Sequence, residues 1–178
     1  NFVYFIEFLI IIIFFLIFRI IGYKAASNFG FFIGKVFGPK FRSRKTIVDN
    51  IRNYKSSLNN NEIEIIIKKM WGNYGRILAE YPYVSSFRRK KLEKYIDIEG
   101  IENLEKIKKI GKPVVFISGH FSNFELMAMI IEREGIELSA VYRPLNNKFL
   151  NVIMEYIRKK YICKNQIKKG LKGVKEAL

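Results

Sequence analysis

The sequence is poor in cysteine, histidine and acid. A single cysteine, Cys163, excludes an internal disulfide, and a single histidine, His120, leaves no set of soft ligands from which a zinc site could be built. No metal and no cofactor are therefore expected. Cys163 reads as a small buried apolar residue in a domain that faces a reducing compartment. Asp and Glu together number 16 against 32 Lys and Arg, a formal charge of +16 that favours anionic partners such as an acidic protein, an anionic membrane or nucleic acid. The abundance of Ile, Lys, Asn, Phe and Tyr resembles an AT-rich coding bias, so the charge permits such binding without establishing it. No DNA- or RNA-binding motif occurs, the basic residues are scattered rather than gathered on one recognition helix, and nucleic acid is not an expected partner. Internal repeats are also absent.

What is abundant is apolar. With 178 residues, 49% of them hydrophobic, the chain can bury the core of one ordinary domain. Phe2 to Ile21 is almost continuously apolar, broken only by Glu7 and Arg19, and about 20 such residues suffice to cross a bilayer core. No A-x-A-like cleavage site follows, so this segment is expected to be a retained membrane anchor. Glu7 is expected near the interface or paired with a polar group. From Gly22 small residues recur at every fourth position, Gly22, Ala26, Gly30, Gly34 and Gly38, which predicts a helix face that approaches another helix or the bilayer surface closely. An interfacial helix packed beside the anchor is the reading this supports. The basic stretch Lys40 to Lys45 (KFRSRK) then marks the cytoplasmic side by the positive-inside rule. The division expected is 1–39 as anchor and interfacial helix and 40–178 as the N-terminal part of a catalytic domain. Because the sequence begins at Asn1 and stops at Leu178 inside KKGLKGVKEAL, which reads as an unfinished amphipathic helix, it is expected to continue at both ends.

Ile47 to Ile51 and Glu62 to Tyr81 carry apolar residues at helical spacing. After a basic patch at Arg88 to Lys91, strand and helix patterns alternate. Tyr95 to Glu99 (YIDIE) reads as a strand, Ile101 to Ile110 as a helix, and Gly111-Lys112-Pro113 as a turn. Pro113 to Ser118 (PVVFIS) has the unbroken apolar character of a buried strand. A helix to about Arg133, a strand at Glu137 to Arg143, a helix from about Asn147 to Lys160 and a last helix after Lys168 follow. The fold class expected is α/β, a mixed sheet with ligands beyond the carboxyl ends of its strands, preceded by a membrane helix.

The chemistry concentrates in GHFSNFE. His120 stands two residues past the strand PVVFIS, and Glu125 falls in the first turn of the next helix. Across such a turn a carboxylate can fix the tautomer of an imidazole and support its protonated form, leaving the other ring nitrogen to take a proton from a hydroxyl. Backbone N–H groups near Gly119 or at the helix start are candidates to stabilise an oxyanion. The same residues also spell a capping box, Ser122-x-x-Glu125, in which Glu125 would serve only the helix. Spacing leaves both readings open.

H-F-S-N-F-E, with its preceding apolar strand, and VYRPLNN at Val141 to Asn147 resemble the bacterial lipid A biosynthesis acyltransferases, the lauroyl and myristoyl transferase family. That family has an N-terminal membrane helix, an HX4E motif of the form H-F-x-N-W-E, and a segment like VYRPxNNP. The resemblance runs over most of the chain and implies His120 as general base with Glu125 as its partner. It further implies substrate binding by Asn123, by Arg143 and by Arg158, the last on the helix after VYRP, with either guanidinium suited to a lipid phosphate or a carrier's phosphopantetheine. Phe124 stands where the family has Trp, which keeps an apolar wall, and Lys148 where it has Pro. The family's later Asp-Gln motif falls beyond Leu178. The function implied is transfer of a fatty acyl chain from acyl carrier protein, an acidic partner, to a hydroxyl of a lipid A precursor at the cytoplasmic face of the bacterial inner membrane. An acyltransferase for a glycerophospholipid or another glycolipid is the nearest alternative, although glycerolipid enzymes usually carry Asp in place of Glu125. A non-catalytic membrane-anchored module that binds anionic lipid or nucleic acid is the alternative of a different class.

Overall fold

The computed structural model describes residues 2–170, 173 and 175. Most of these residues are helical, and the chain divides into two compact units, one of residues 13–82 and one of residues 1–12 with 83–178. The expected helix after Lys168 lies largely outside the described residues.

Helix α1, Phe2–Ile21, coincides with the apolar run. At 1.5 Å per residue its 20 residues extend about 30 Å, the thickness of a bilayer core. Among the described residues it is the one helix long and apolar enough to cross a membrane, and only Phe18 on it is buried.

The regular structure of residues 13–82 is helical. Helix α2, Tyr23–Phe37, packs along α4, Asn60–Glu80. The small-residue face expected on α2 is what brings them together. A Cβ on Gly30 would collide with Ala79 and the Gly75 carbonyl, and one on Gly34 with the backbone of Trp71 and Gly75. The partner helix answers with its own small positions, Gly72, Gly75 and Ala79, a match the sequence reading of α2 alone did not include. Where the helices meet, Glu80 is buried and accepts from Ser27 Oγ at 2.7 Å and from Tyr23 Oη at 3.3 Å. Helix α4 starts at a capping box, with Asn59 Oδ1 accepting from the Glu62 N–H and Glu62 Oε2 from the Asn59 N–H. Helix α3, Arg44–Tyr54, closes on α4 through Ile47, Ile63 and Ile67, each of which contributes about 1.5–3 kcal/mol by burial.

The second unit holds the first part of α1 with α5 (Val84–Arg88), α6 (Ile101–Ile110), α7 (Glu125–Arg133), β1 (Ser139–Tyr142), α8 (Lys148–Ile157) and β2 (Asn165–Lys168). Helix α6 ends as the sequence predicts, with Gly111 in the left-handed conformation that a residue without Cβ adopts freely. Strands β1 and β2 run parallel, pairing Ser139 with Asn165 and Tyr142 with Lys168, joined through α8 and a π-turn at Arg158–Ile162. Cys163 is fully buried next to β2, its Sγ donating to the Leu138 carbonyl at 2.8 Å, and burial pushes its thiol pKa up. Arg133 and Glu93 form a paired ion bridge at 2.8 and 3.0 Å, and Arg88, from the basic patch, lies 3.3 Å from Glu132.

Among the described residues the expected mixed sheet is reduced to these two strands. Pro113 to Ser118 is not in a ladder among the described residues, and Val115 and Ile117 are 88% and 93% exposed. Tyr95 to Glu99 likewise forms no strand, its first residue closing a 3-10 turn at Glu93–Tyr95. An apolar run supplies side chains for a sheet, but a strand exists only where a neighbour takes its backbone N–H and C=O groups. Strand β2 escaped the sequence reading for the opposite reason: NQIK carries one apolar residue, Ile167, and its pairing comes from β1.

Candidate active site

The segment Gly119 to Phe124 carries the chain into α7. Ser122 adopts a φ of 45°, a left-handed backbone that costs a serine energy and is tolerated where surrounding structure imposes it. His120 is exposed at this turn, its ring edge-on to Phe124 with centroids 4.4 Å apart. Phe124 thus forms an apolar wall against the imidazole. It also occupies the cap position of α7, with no side-chain cap bond, so the helix does not begin at Ser122 as the capping-box spacing required.

Glu125 is 6% exposed, and its Oε1 receives Arg158 Nε at 2.9 Å and Nη2 at 2.6 Å. The two residues are 33 apart in sequence and meet because α7 and the end of α8 pack together. A buried carboxylate needs such a partner, since an uncompensated charge there is costly. Arg158 opens the π-turn, and its guanidinium lies 5.9 Å from the centre of the Tyr142 ring. Tyr142, the last residue of β1, donates to Glu155 Oε1 at 2.5 Å, and Glu155 also accepts from Asn151 at 2.9 Å and faces Lys168 at 3.4 Å. Burial, with the Glu155 carboxylate beside it, pushes the Tyr142 phenol up to about 12, so it stays a donor through the neutral range. The Tyr142 bond holds the Glu155 carboxyl below its usual value, with Asn151 and Lys168 acting in the same direction.

Glu125, Arg158, Tyr142, Glu155 and Lys168 therefore form a polar chain past the carboxyl ends of β1 and β2, where ligands of parallel sheets bind. Of the residues singled out from sequence, the fold joins Glu125 to Arg158. Asn123 is half-buried in the same loop as His120, and Arg143 is exposed just past β1. Tyr142 and Glu155 were not foreseen, although Tyr142 lies within VYRPLNN and Glu155 is one turn before Arg158 on the same face. Asn147 was missed as well. It caps α8 by accepting from the N–H groups of Phe149 and Leu150, while its Nδ2 donates to the Tyr4 carbonyl at 2.7 Å and to Glu7 Oε2 at 3.1 Å. Glu7 thereby has the polar partner its place in an apolar helix demands. Asparagine just before a helical pattern is a cap signal that sequence alone carries.

The chain is 22% identical over 135 residues, 76% of its length, to lipid A biosynthesis acyltransferase 2 of Shigella flexneri, of which the match covers 42%. It is 20% identical over 98 residues, 55% of its length, to a lipid A biosynthesis acyltransferase of Haemophilus influenzae, covering 31% of that protein. The matched part spans less than half the length of these curated relatives. No solved structure matches the chain. The family described as bacterial lipid A biosynthesis acyltransferase matches residues 1–178, end to end, and the chain belongs to that family.

Proposed function

We propose that this chain is the N-terminal, anchor-bearing part of an enzyme that moves a fatty acyl group from the thioester of acyl carrier protein to a hydroxyl of a lipid A precursor, at the cytoplasmic face of the bacterial inner membrane. The observation that carries the proposal is the family match across residues 1–178; His120 and Glu125 stand in HX4E spacing in the sequence. Residues 1–39 serve as anchor and interfacial helix and residues 40–178 as the first part of the catalytic domain. His120 takes the proton of the acceptor hydroxyl. The oxygen attacks the thioester carbonyl, and collapse of the tetrahedral adduct forms the ester and expels the carrier's thiolate, which receives the proton from the imidazolium. An exposed His120 suits acceptors too large to enter a closed cavity. The negative charge of the Glu125 carboxylate would support the imidazolium. Arg158 in this reading holds and aims Glu125, while exposed Arg143 and half-buried Asn123 meet the substrate. The +16 charge favours an acidic carrier.

His120→Ala in the membrane-bound full-length protein should lower acyl transfer by roughly 10² to 10⁴ with thermal unfolding little changed, the usual contribution of acid/base catalysis. Near-normal turnover in folded His120→Ala protein would refute the mechanism.

A further inference from the structure

The unit of residues 13–82 holds a groove that acyl transfer does not use. It lies between α3 and α4, has a volume of about 750 Å³, and is floored by Ile47, Ile51, Leu58, Ile66, Met70 and Trp71. That volume falls within the roughly 300–1,000 Å³ of small-molecule sites. Among the described residues, the charged side chains along it are Arg42 and Lys55, both exposed, and no carboxylate lines it. Tyr54, 91% exposed, and Tyr74 add aromatic rings of the kind that sit where hydrocarbon meets headgroup. At the Trp71 end the apolar surface continues. The Trp71 ring lies 6.4 Å from that of Phe41, itself 80% exposed, and α2 ends beside it with Val36 and Phe37 exposed. The second half of α1, which carries the apolar run of the anchor, belongs to the same unit.

We infer that this groove is a lipid-binding site, taking one acyl chain of an anionic membrane glycerophospholipid along Ile51, Ile66 and Trp71 with its phosphate held by Arg42 and Lys55. The charge pattern selects the occupant. A neutral amphipathic helix would leave both cations facing nothing, whereas an anionic phospholipid satisfies the apolar floor and the basic rim together. The inference rests on the anchor reading of α1, which brings the unit to a bilayer, and goes beyond the acyl-transfer reaction.

Trp71 is the sole tryptophan among these 178 residues, and with any tryptophan outside them replaced by phenylalanine its fluorescence reports on the groove. The full-length protein is reconstituted into two vesicle preparations of identical phosphatidylglycerol and phosphatidylcholine content, with the bromine label on the chains of one lipid or of the other, and with flotation verifying insertion. Label on phosphatidylglycerol should quench Trp71 at least about threefold more than label on phosphatidylcholine, the order expected of two basic side chains facing an anionic headgroup. Arg42→Gln combined with Lys55→Gln should erase that preference, and Ile66→Asp, at a part-exposed position, should reduce quenching by both labels while helical content is unchanged. Equal quenching by the two lipids in the unsubstituted protein overturns the site. So does a Trp71 that neither label reaches and that acrylamide cannot quench, because a protein segment or second copy then fills the groove. Failure to float with vesicles overturns the anchor reading first, and this one with it.

Discussion

Replacing Arg158 by alanine would leave the Glu125 carboxylate buried without its guanidinium, a loss that typically costs about 3–5 kcal/mol. Arg158→Ala should therefore lower both the unfolding midpoint and acyl transfer, whereas Lys160→Ala, which removes exposed contacts to Tyr156 and Tyr161, should change stability little. Thermal unfolding and turnover measured on the same preparations check this, and equal effects of the two substitutions would reduce Arg158 to surface charge. Tyr142 allows a test by pH. The Glu155 carboxyl is held low in the folded chain, so its contribution is fully present above the unfolded value of about 4.3 and is lost as pH falls from there toward the folded value. Tyr142→Phe removes the bond responsible. It should cost about 1.5–3 kcal/mol at neutral pH, as for hydrogen bonds to charged groups, and the gap to the unsubstituted protein should close below pH 4 in denaturant titrations. The phenol acts with the opposite sign: its raised value means that stability declines as pH climbs from about 10 toward 12. His120 and Glu125 stand out in the sequence as candidates because a short motif holds them. The pairing of Glu125 with Arg158, and the support of both by Tyr142 and Glu155, was not legible there, because it depends on how α7, α8 and β1 pack.

At the scale of elements, the α2–α4 contact depends on the absence of side chains. Gly75→Leu would thrust a branched group into the Gly30 carbonyl, and overpacking of this kind costs about 1–3 kcal/mol or separates the helices. Ala25→Leu, on the exposed face of α2, should be tolerated. Circular dichroism melts in detergent compare the two, and equal stability would mean that the helices do not approach as closely as their glycines allow. The same contact explains what the sequence could disclose. Helices α1, α2, α4 and α6 were readable because apolar or small residues at a 3.6 period, with caps such as Gly111, are local properties. Pro113 to Ser118 was misread as a paired strand because its composition reports burial preference and not the presence of a neighbour. Strand β2 was overlooked because its sequence is polar and only its partner makes it a strand.

For the whole molecule the decisive property is the conjunction of an apolar α1 with a chain of +16 charge. Among the described residues of α1 only Phe18 is buried. The first turns of α1 serve a second purpose. Phe5 and Phe8 pack on Phe149 with centroids 5.5 and 6.0 Å apart, and Asn147 binds Tyr4 and Glu7, so deleting the helix would damage the domain as well as release it. Substitution at mid-helix separates the two effects. Ile13→Lys combined with Leu16→Lys leaves those contacts intact but places two charges at membrane depth, each costing roughly 2.5–3.5 kcal/mol of insertion on biological scales. The unsubstituted protein should resist alkaline extraction from membranes, and the doubly substituted one should be released while Tyr4, Glu7 and Asn147 still hold its start against α8. Glu7→Ala should behave in the reverse manner, inserting normally because it removes a charge, but losing stability through its Asn147 contact. If the unsubstituted protein is recovered monodisperse and folded without detergent, α1 is a core helix covered by other protein, and the assignment of residues 1–39 as a membrane anchor fails with it.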